Sequence, residues 1–273
     1  MNKELPLVSI IVPYYNHNAF IRKCLDSVIN DTYENKELLI INDGSTEGDS
    51  SNLDAWIAEN GNRIPVKYSH RENRGLIRTL HELIEQSNGQ YILILASDDF
   101  LINDTIARRV ACLQANPSKL LCLSDAIVVD QNGRTVSESS MFDFRRGRKE
   151  NYLRDGKLTY EIVRRWSVAG SVYMVDRKIF DVIGKYDPSL ILEDWDFFLR
   201  AASENLIIYL DVQVSGYRAH DNNTFSNPGL RNKIFYHLYL SAKKNLRRFS
   251  FPLNAVLFGL AIVYKIRSHP YKP

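Results

Sequence analysis

Tyr91-Ile92-Leu93-Ile94-Leu95-Ala96-Ser97-Asp98-Asp99 is the stretch on which the fold turns. Five apolar residues without polar alternation predict a strand buried on both faces, as in a parallel sheet. The run stops at small residues and then at two carboxylates. In open α/β sheets ligands bind in the crevice beyond the carboxyl ends of the strands. Adjacent acids placed there repel each other unless something positive, such as a metal ion, sits between them. For an isolated Asp-Asp the other reading is a loop that caps the next helix.

Upstream, Leu7–Val12 reads as a first buried strand ended by Pro13. Ile21, Cys24, Leu25, Val28 and Ile29 then recur at helical spacing, and Leu38–Ile41 reads as a second strand. Strand, helix and strand with short links form a right-handed βαβ unit, which puts both polar strand ends on one edge. A helix over about residues 50–59, a short strand at residues 66–68 and a helix with Leu76, Leu80, Leu83 and Ile84 on its apolar face lead into the opening stretch. Downstream, Ile106, Val110 and Leu113 mark a helix stopped by Pro117. Strands are expected at residues 120–123, 126–129, 171–175, 207–210 and 213–217, and helices at 176–183 and 195–202. Residues 141–165, with Arg145, Arg146, Arg148 and Lys149 close together, read as a mobile basic surface loop.

The 273 residues suffice for one large α/β domain with an appendage. Cys24, Cys112 and Cys122 are odd in number, lie in apolar patterns and form no Cys-x-x-Cys, so reduced core thiols in a cytoplasmic protein are expected. Residues 1–4 are polar and do not read as a signal peptide. The net charge of +3 hides an asymmetry: residues 229–273 hold nine Lys/Arg and no Asp/Glu, leaving 26 basic against 32 acidic residues in the body. A wholly basic tail on an acidic body points to something anionic.

Four polar clusters fall at strand ends or helix starts: Pro13-Tyr14-Tyr15-Asn16, Asn42-Asp43-Gly44-Ser45, Ser97-Asp98-Asp99 and Glu193-Asp194. Each could be merely a turn or a cap. Their order carries more. Val8-Ser9-Ile10-Ile11-Val12-Pro13-x-Tyr15-Asn16 and Asn42-Asp43-Gly44-Ser45-Thr46 resemble the N-terminal signature of glycosyltransferase family 2. Glu72-Asn73-Arg74-Gly75-Leu76, Asn88-Gly89-Gln90-Tyr91-Ile92, Ser97-Asp98-Asp99, Gly184-Lys185-Tyr186-Asp187, Glu193-Asp194 and Tyr217-Arg218-Ala219-His220 continue the match over about residues 5–225.

The resemblance implies a GT-A fold: an α/β, Rossmann-like, mostly parallel central sheet flanked by helices, here with a C-terminal helical extension. It divides the chain into a transferase domain over residues 1–228 and a basic extension over 229–273. Within the domain, residues 1–115 would be the nucleotide and donor half and 116–228 the acceptor half. It implies inverting transfer of a sugar from a nucleoside diphosphate sugar, a UDP-sugar first, to an acceptor hydroxyl. Bacterial surface polysaccharide or lipid-linked glycan assembly is the implied setting. The departing diphosphate calls for a divalent cation, Mn²⁺ or Mg²⁺.

By the same analogy Asp99 binds the metal, His220 completes its shell or is a loop residue, and Asp98 holds the ribose or a metal-bound water. Tyr15 stacks on the base, Asp43 accepts a ring N–H, and Pro13 and Asn16 shape that pocket. Arg74 and Arg78 face the diphosphate or are simply solvated. Asp194 is the general base and Glu193 orients the acceptor, with the reverse assignment open. Three departures stand out: Ser97 replaces the first acid of an Asp-x-Asp motif, Asn42 replaces an Asp, and His81 stands where an Asn is frequent. A non-catalytic nucleotide-sugar-binding module would not need Glu193-Asp194. A sugar nucleotidyltransferase would need a Gly-rich loop after its first strand.

In the tail, residues 251–266 are mainly apolar between basic flanks, and fall short of the roughly 20 residues that span a bilayer. An interfacial helix on an anionic membrane surface, peripheral on the inner face of the cell membrane, is the favoured expectation. Packing on the domain or homodimerisation through the C-terminal helices is the alternative. No nucleic-acid motif accompanies the charge, so nucleic acid is not an expected partner.

Overall fold

Parallel pairing begins at the N-terminus, where β1 (Val8–Tyr14) lies between β2 (Lys36–Asp43) and β4 (Tyr91–Ile94), with β3 (Val66–Arg71) outside β2. The computed structural model describes residues 4–46, 48, 50–154, 156–220, 228–269 and 271. The strands alternate between two cores. Val8, Ile10 and Val12 of β1, Leu38 and Ile40 of β2, and Tyr91 and Leu93 of β4 face one. Ile11, Leu39, Ile41 and Ile92 face the other. Burial of both faces accounts for the absence of polar alternation.

Helices α1 (Ile21–Asn30), α2 (Ser51–Asn60) and α4 (Thr105–Ala115) cover the first face. Helix α3 (Leu76–Gln86) covers the second, but through Ile77, Leu80, Leu83 and Ile84. Leu76 shares the face of Leu80 and Leu83 but is 49% exposed, because as the first residue of the helix it borders open cavities instead of the core.

The sheet then changes direction. Among the described residues it has nine strands, in the order β3-β2-β1-β4-β8-β6-β9-β5, with β7 (Thr135–Ser137) beside β6 (Leu121–Val129). Strand β8 (Tyr173–Asp176) is antiparallel to both β4 and β6, whereas β6 and β9 (Ile207–Arg218) are parallel. Residues 120–129 and 207–217 each form one long strand rather than two, because Ser124 and Asp125, the polar interruption of β6, are buried within the ladder. The two-residue strand β5 (Phe100–Leu101) pairs with Gly216 and Ser215 of β9. A Cβ at position 216 would collide with the Phe100 ring, so glycine allows this close approach.

Residues 141–165 are not a surface loop. They contain a π-helical turn at Ser140–Phe144, α5 (Lys149–Tyr152) and α6 (Leu158–Arg164), with Met141, Tyr152, Ile162 and Val163 buried. Buried carboxylates hold the segment. Asp125 accepts from Met141 N at 3.1 Å and Ser140 Oγ at 3.2 Å, and Glu161 accepts from Arg148 N at 2.9 Å and Asn151 Nδ2 at 2.7 Å. The basic residues dominate the local pattern, and long-range anchors of this kind leave no periodic trace.

After α7 (Ile179–Ile183) and α8 (Glu193–Ser203), the extension forms α9 (Arg231–Asn245) and α10 (Leu253–Arg267). They pack on each other, α9 also on α8 and α10 also on α6, in a core that includes Val163, Trp195, Leu199, Ile234, Leu238 and Leu257. A buried polar network fastens α9. Asp196 Oδ2 accepts from Arg200 Nε at 2.9 Å and Oδ1 from Asn245 Nδ2 at 2.8 Å, while Arg200 donates onward to the Ile183, Gly184 and Lys185 carbonyls. Asp196→Ala is expected to destabilise the protein by about 3–5 kcal/mol in chemical denaturation, because it strands a buried guanidinium. A loss under about 1 kcal/mol would mean that the network does not hold the helices together.

Candidate active site

The parallel register brings the ends of β1, β2 and β4 to one edge, with Tyr14 opposite Asn42 and Ile11 opposite Ile94. Two cavities open there. The first, about 490 Å³, is lined by Pro13, Tyr15, His17, Asp43, Asn73 and Asp98, among others. The second, about 270 Å³, is lined by Asp98, Asp99, Arg145, Glu193, Asp194 and Tyr217, among others. Pro13, Leu76, Ala96 and Asp98 belong to both walls. Asp98 therefore stands where the cavities meet, and the exposed Leu76 forms part of the partition.

The two acids have different surroundings. Asp99 is 2% exposed and its oxygens are engaged: Oδ2 accepts from Ser171 N at 3.0 Å and Ser171 Oγ at 2.9 Å, and Oδ1 from Arg218 N at 2.9 Å. Burial and the neighbouring Asp98 charge push its carboxyl well above the usual range. Asp98 Oδ2 lies 3.0 Å from His220 Nε2, and ligand atoms of His17, Asp98 and His220 all fall within 4.8 Å of one another. Burial works against ionisation of Asp98, but the His220 hydrogen bond and the nearby His17 outweigh it and hold its carboxyl below the ordinary value. Burial lowers His17, which favours its neutral, ligating form at pH 7. His17 Nδ1 is 2.8 Å from Ser97 Oγ.

Of the two residues expected to hold a cation, His220 groups with Asp98 and His17 as a set of donor atoms that could hold one, and Asp99 is not part of that set. The physical reason is the β5–β9 pairing, which brings Arg218 N to Asp99 and His220 to Asp98. Arg218 seals the back of the site. Its Nε donates to the Asp98 carbonyl at 2.9 Å, Nη1 to the Asp130 carbonyl at 3.1 Å, and its guanidinium lies 4.7 Å from the Phe20 ring centroid. Phe20 in turn stacks on His220 at 5.4 Å. The Asp221–Asn223 stretch expected to follow His220 as a loop lies outside the described residues. One carboxylate and two imidazoles are a donor set that suits Mn²⁺ better than Mg²⁺, which prefers oxygen ligands.

In the larger cavity, Tyr15 is half-exposed at the rim and Pro13 forms wall. Asp43 is pinned by the Arg71 guanidinium, Arg74 N at 2.8 Å and Gly75 N at 2.9 Å. Its Oδ2 accepts only the Gly75 bond of these three and keeps a lone pair for a ligand. Asn16, in a left-handed conformation at φ 53°, accepts from Thr46 N at 3.0 Å and donates its own N–H to Ser45 Oγ at 3.0 Å. It ties the β1 and β2 loops together and does not line the cavity. The Arg74 and Arg78 side chains are exposed and absent from both linings. His81 Nε2 bonds the Tyr186 carbonyl at 2.8 Å, away from both cavities.

Glu193 and Asp194 open α8, where N-terminal N–H groups favour negative charge. Asp194 Oδ1 accepts from its following residue, Trp195 N, at 2.7 Å. Burial pushes both acids up, Asp194 to about 6 against relief from Trp195 N and Arg145, and Glu193 to about 8 with the Asp194 charge adding to the rise. Burial therefore favours the protonated form of both acids, and more strongly at Glu193, which also faces the Asp194 charge. Sequence reasoning named this pair and Asp98, but missed His17, Arg71, Arg145 and Ser171. His17, two residues after Tyr15, and Arg71, one residue before Glu72-Asn73-Arg74-Gly75, lie close enough to a motif to have been found.

A half-buried acid pair, a carboxylate–imidazole group and a shared cavity wall suit group transfer between two ligands. Relatives of known class agree. EpsH of Bacillus subtilis, a putative glycosyltransferase, is 30% identical over 151 residues, covering 55% of this chain and 43% of EpsH. The PGL/p-HBAD biosynthesis glycosyltransferase of Mycobacterium tuberculosis is 25% identical over 247 residues, covering 89% of this chain and 88% of that protein. The chain spans 27% of an uncharacterised glycosyltransferase of Rickettsia bellii, to which it is 28% identical over 199 residues. It is thus much shorter than several of its relatives.

Among solved structures, Staphylococcus aureus TarS 1–349 with UDP-GlcNAc superposes with a TM-score of 0.68 at 19% identity, over 96% of this chain and 72% of that one. The mannosyltransferase PcManGT of Pyrobaculum calidifontis, with GDP-Man and Mn²⁺, gives 0.68 at 19% identity, over 94% and 70%. These likenesses establish the GT-A fold. The model of the family described as "Glycosyl transferase family 2" matches residues 9–173, more than half of the sequence, and the chain belongs to that family.

Proposed function

We propose that the chain transfers a sugar, with inversion, from a nucleoside diphosphate sugar in the larger cavity to an acceptor hydroxyl in the smaller one. The observation that carries the reading is that Asp98 and the Glu193–Asp194 pair line one cavity, and that Asp98 also borders the Asp43 pocket. The two halves, residues 1–115 and 116–228, would then supply donor and acceptor sides, with 229–273 as an extension. Tyr15 and Pro13 would flank the base and the remaining Asp43 lone pair would accept its ring N–H.

Asp194 takes the acceptor hydroxyl proton as the new C1–O bond forms, and the C1–diphosphate bond breaks on the opposite face. Protonated Glu193 donates a hydrogen bond that orients the acceptor. A divalent cation, Mn²⁺ in preference, would be held by Asp98, His17 and His220 and would supply Lewis-acid stabilisation of the departing diphosphate. Asp99 and Arg218 position Asp98 and His220 instead of binding the cation. A UDP-sugar is the favoured donor, because TarS binds UDP-GlcNAc in a fold of this shape, although PcManGT takes GDP-Man. Assembly of a bacterial surface or lipid-linked glycan is the setting we favour, in keeping with the naming of the mycobacterial relative.

A nucleotide-release screen tests the reading. UDP-, GDP- and dTDP-sugars are supplied with Mn²⁺ or Mg²⁺, with and without lipid extracts as acceptor. Metal-dependent release, fastest for a UDP-sugar with Mn²⁺, is expected. No release from any donor with either metal would overturn catalysis by this site.

A further inference from the structure

Helix α10 is apolar on every side yet covered on only one. Leu257 and Ala261 are buried against α9 and α6. Opposite them Ala255, Phe258, Gly259, Ile262, Val263 and Ile266 follow one another at helical spacing and are all exposed. Phe251, one turn earlier, is 82% exposed and Ile266 70%. Single exposed apolar residues need no explanation, but an unbroken stripe along four turns does.

The borders of the stripe are cationic. Arg247 and Arg248 precede it, Lys265 and Arg267 end it, and all four are exposed. On its flank a groove runs between Ala255, Val256, Gly259 and Leu260 of α10 and Arg164 and Arg165 of α6. No acidic residue occurs anywhere from 229 to 273. No described helix is long and apolar enough to cross a membrane, and the 15 residues of α10 extend only about 22 Å.

We infer that this face docks on an anionic lipid surface, with α10 lying in the plane of the interface. Phe251, Phe258, Ile262 and Ile266 enter the acyl boundary, while the flanking Arg and Lys side chains meet lipid phosphates. A second copy of the chain is the weaker occupant. A two-fold contact would set this patch against itself and bring two acid-free, basic extensions together. The inference rests on α10 and its borders, and stands whether or not the sugar-transfer reading does.

Flotation of the full chain with vesicles is the test. Phosphatidylcholine alone is compared with phosphatidylcholine containing 30% phosphatidylglycerol, at about 0.1 M and 0.5 M NaCl. Binding at least tenfold stronger to the anionic vesicles, and lost at high salt, is expected. Phe258→Glu/Ile262→Glu should abolish it, while circular dichroism and donor-dependent nucleotide release stay unchanged because both positions are solvent-exposed. Arg247→Glu/Arg248→Glu should weaken anionic binding without altering fold. Indifference to lipid charge, or retention by Phe258→Glu/Ile262→Glu, would overturn the inference. So would a solution dimer that the same double substitution splits.

Discussion

Asp194→Asn is expected to lower kcat by about 10³-fold while leaving the donor KM within about threefold, since a positioned general base contributes roughly 10²–10⁴. The side chain keeps its volume and its place at the start of α8, but Asn cannot take a proton. In the wild type a base must be ionised, so kcat/KM should rise with pH through about 6, where Asp194 loses its proton, and that acid limb should vanish with the rate in the variant. Glu193→Gln should retain the limb, because Gln can still donate to the acceptor.

A second readout separates chemistry from folding. The folded pKa of Asp194 lies above its unfolded value, so the fold disfavours the charge, and stability contributed by this group falls as pH rises from about 4 through about 6. Asp194→Asn should therefore unfold at higher denaturant than the wild type at pH 8, and at about the same concentration at pH 4. A variant keeping more than a tenth of the wild-type rate would remove Asp194 from the role. A larger loss in Glu193→Gln would exchange the two.

Asp98→Ala and Asp99→Ala should fail in different ways. With Asp98 goes the carboxylate of the His17–Asp98–His220 group, so Mn²⁺-dependent donor binding should weaken by at least about 10²-fold, the upper range for merely outer-shell partners. Its fold should survive, and chelation of the wild type should reproduce the loss. Asp99→Ala leaves Ser171 N, Ser171 Oγ and Arg218 N without their acceptor in a buried site, so about 2–3 kcal/mol of stability should go. The protein that remains folded should still respond to Mn²⁺. Calorimetric titration alongside denaturation distinguishes the pair. Full stability of Asp99→Ala with loss of the metal response would return the cation to Asp99.

Residues 1–115 were legible because their signals are local. Buried runs such as Ile10–Val12 and Leu38–Ile41 and the spacing of Cys24, Leu25 and Val28 specify strands and a helix without reference to anything distant. Parallel βαβ connections then put Pro13, Asp43 and Asp98 on one edge. Residues 141–165 were not legible, because their buried residues are few and are held by Asp125 and by Glu161 hydrogen bonds to loop residues. The α10 helix was legible as apolar but not as half-covered, since its two faces differ in their neighbours and not in their composition.

What the sequence by itself determined is the class of fold, the edge on which the site lies and the acid pair at the start of α8, all consequences of short-range periodicity and of the handedness of βαβ units. The tertiary structure decided what surrounds each acid. Asp98 and Asp99 are adjacent and chemically alike, so nothing local assigns one to a cation and the other to the scaffold. Pairing of β5 with β9 gives them different partners, bringing Arg218 N to Asp99 and His220 to Asp98 across about 120 residues of chain. The direction of a side chain beyond a strand end depends on what packs behind it, and here that is the far end of another strand.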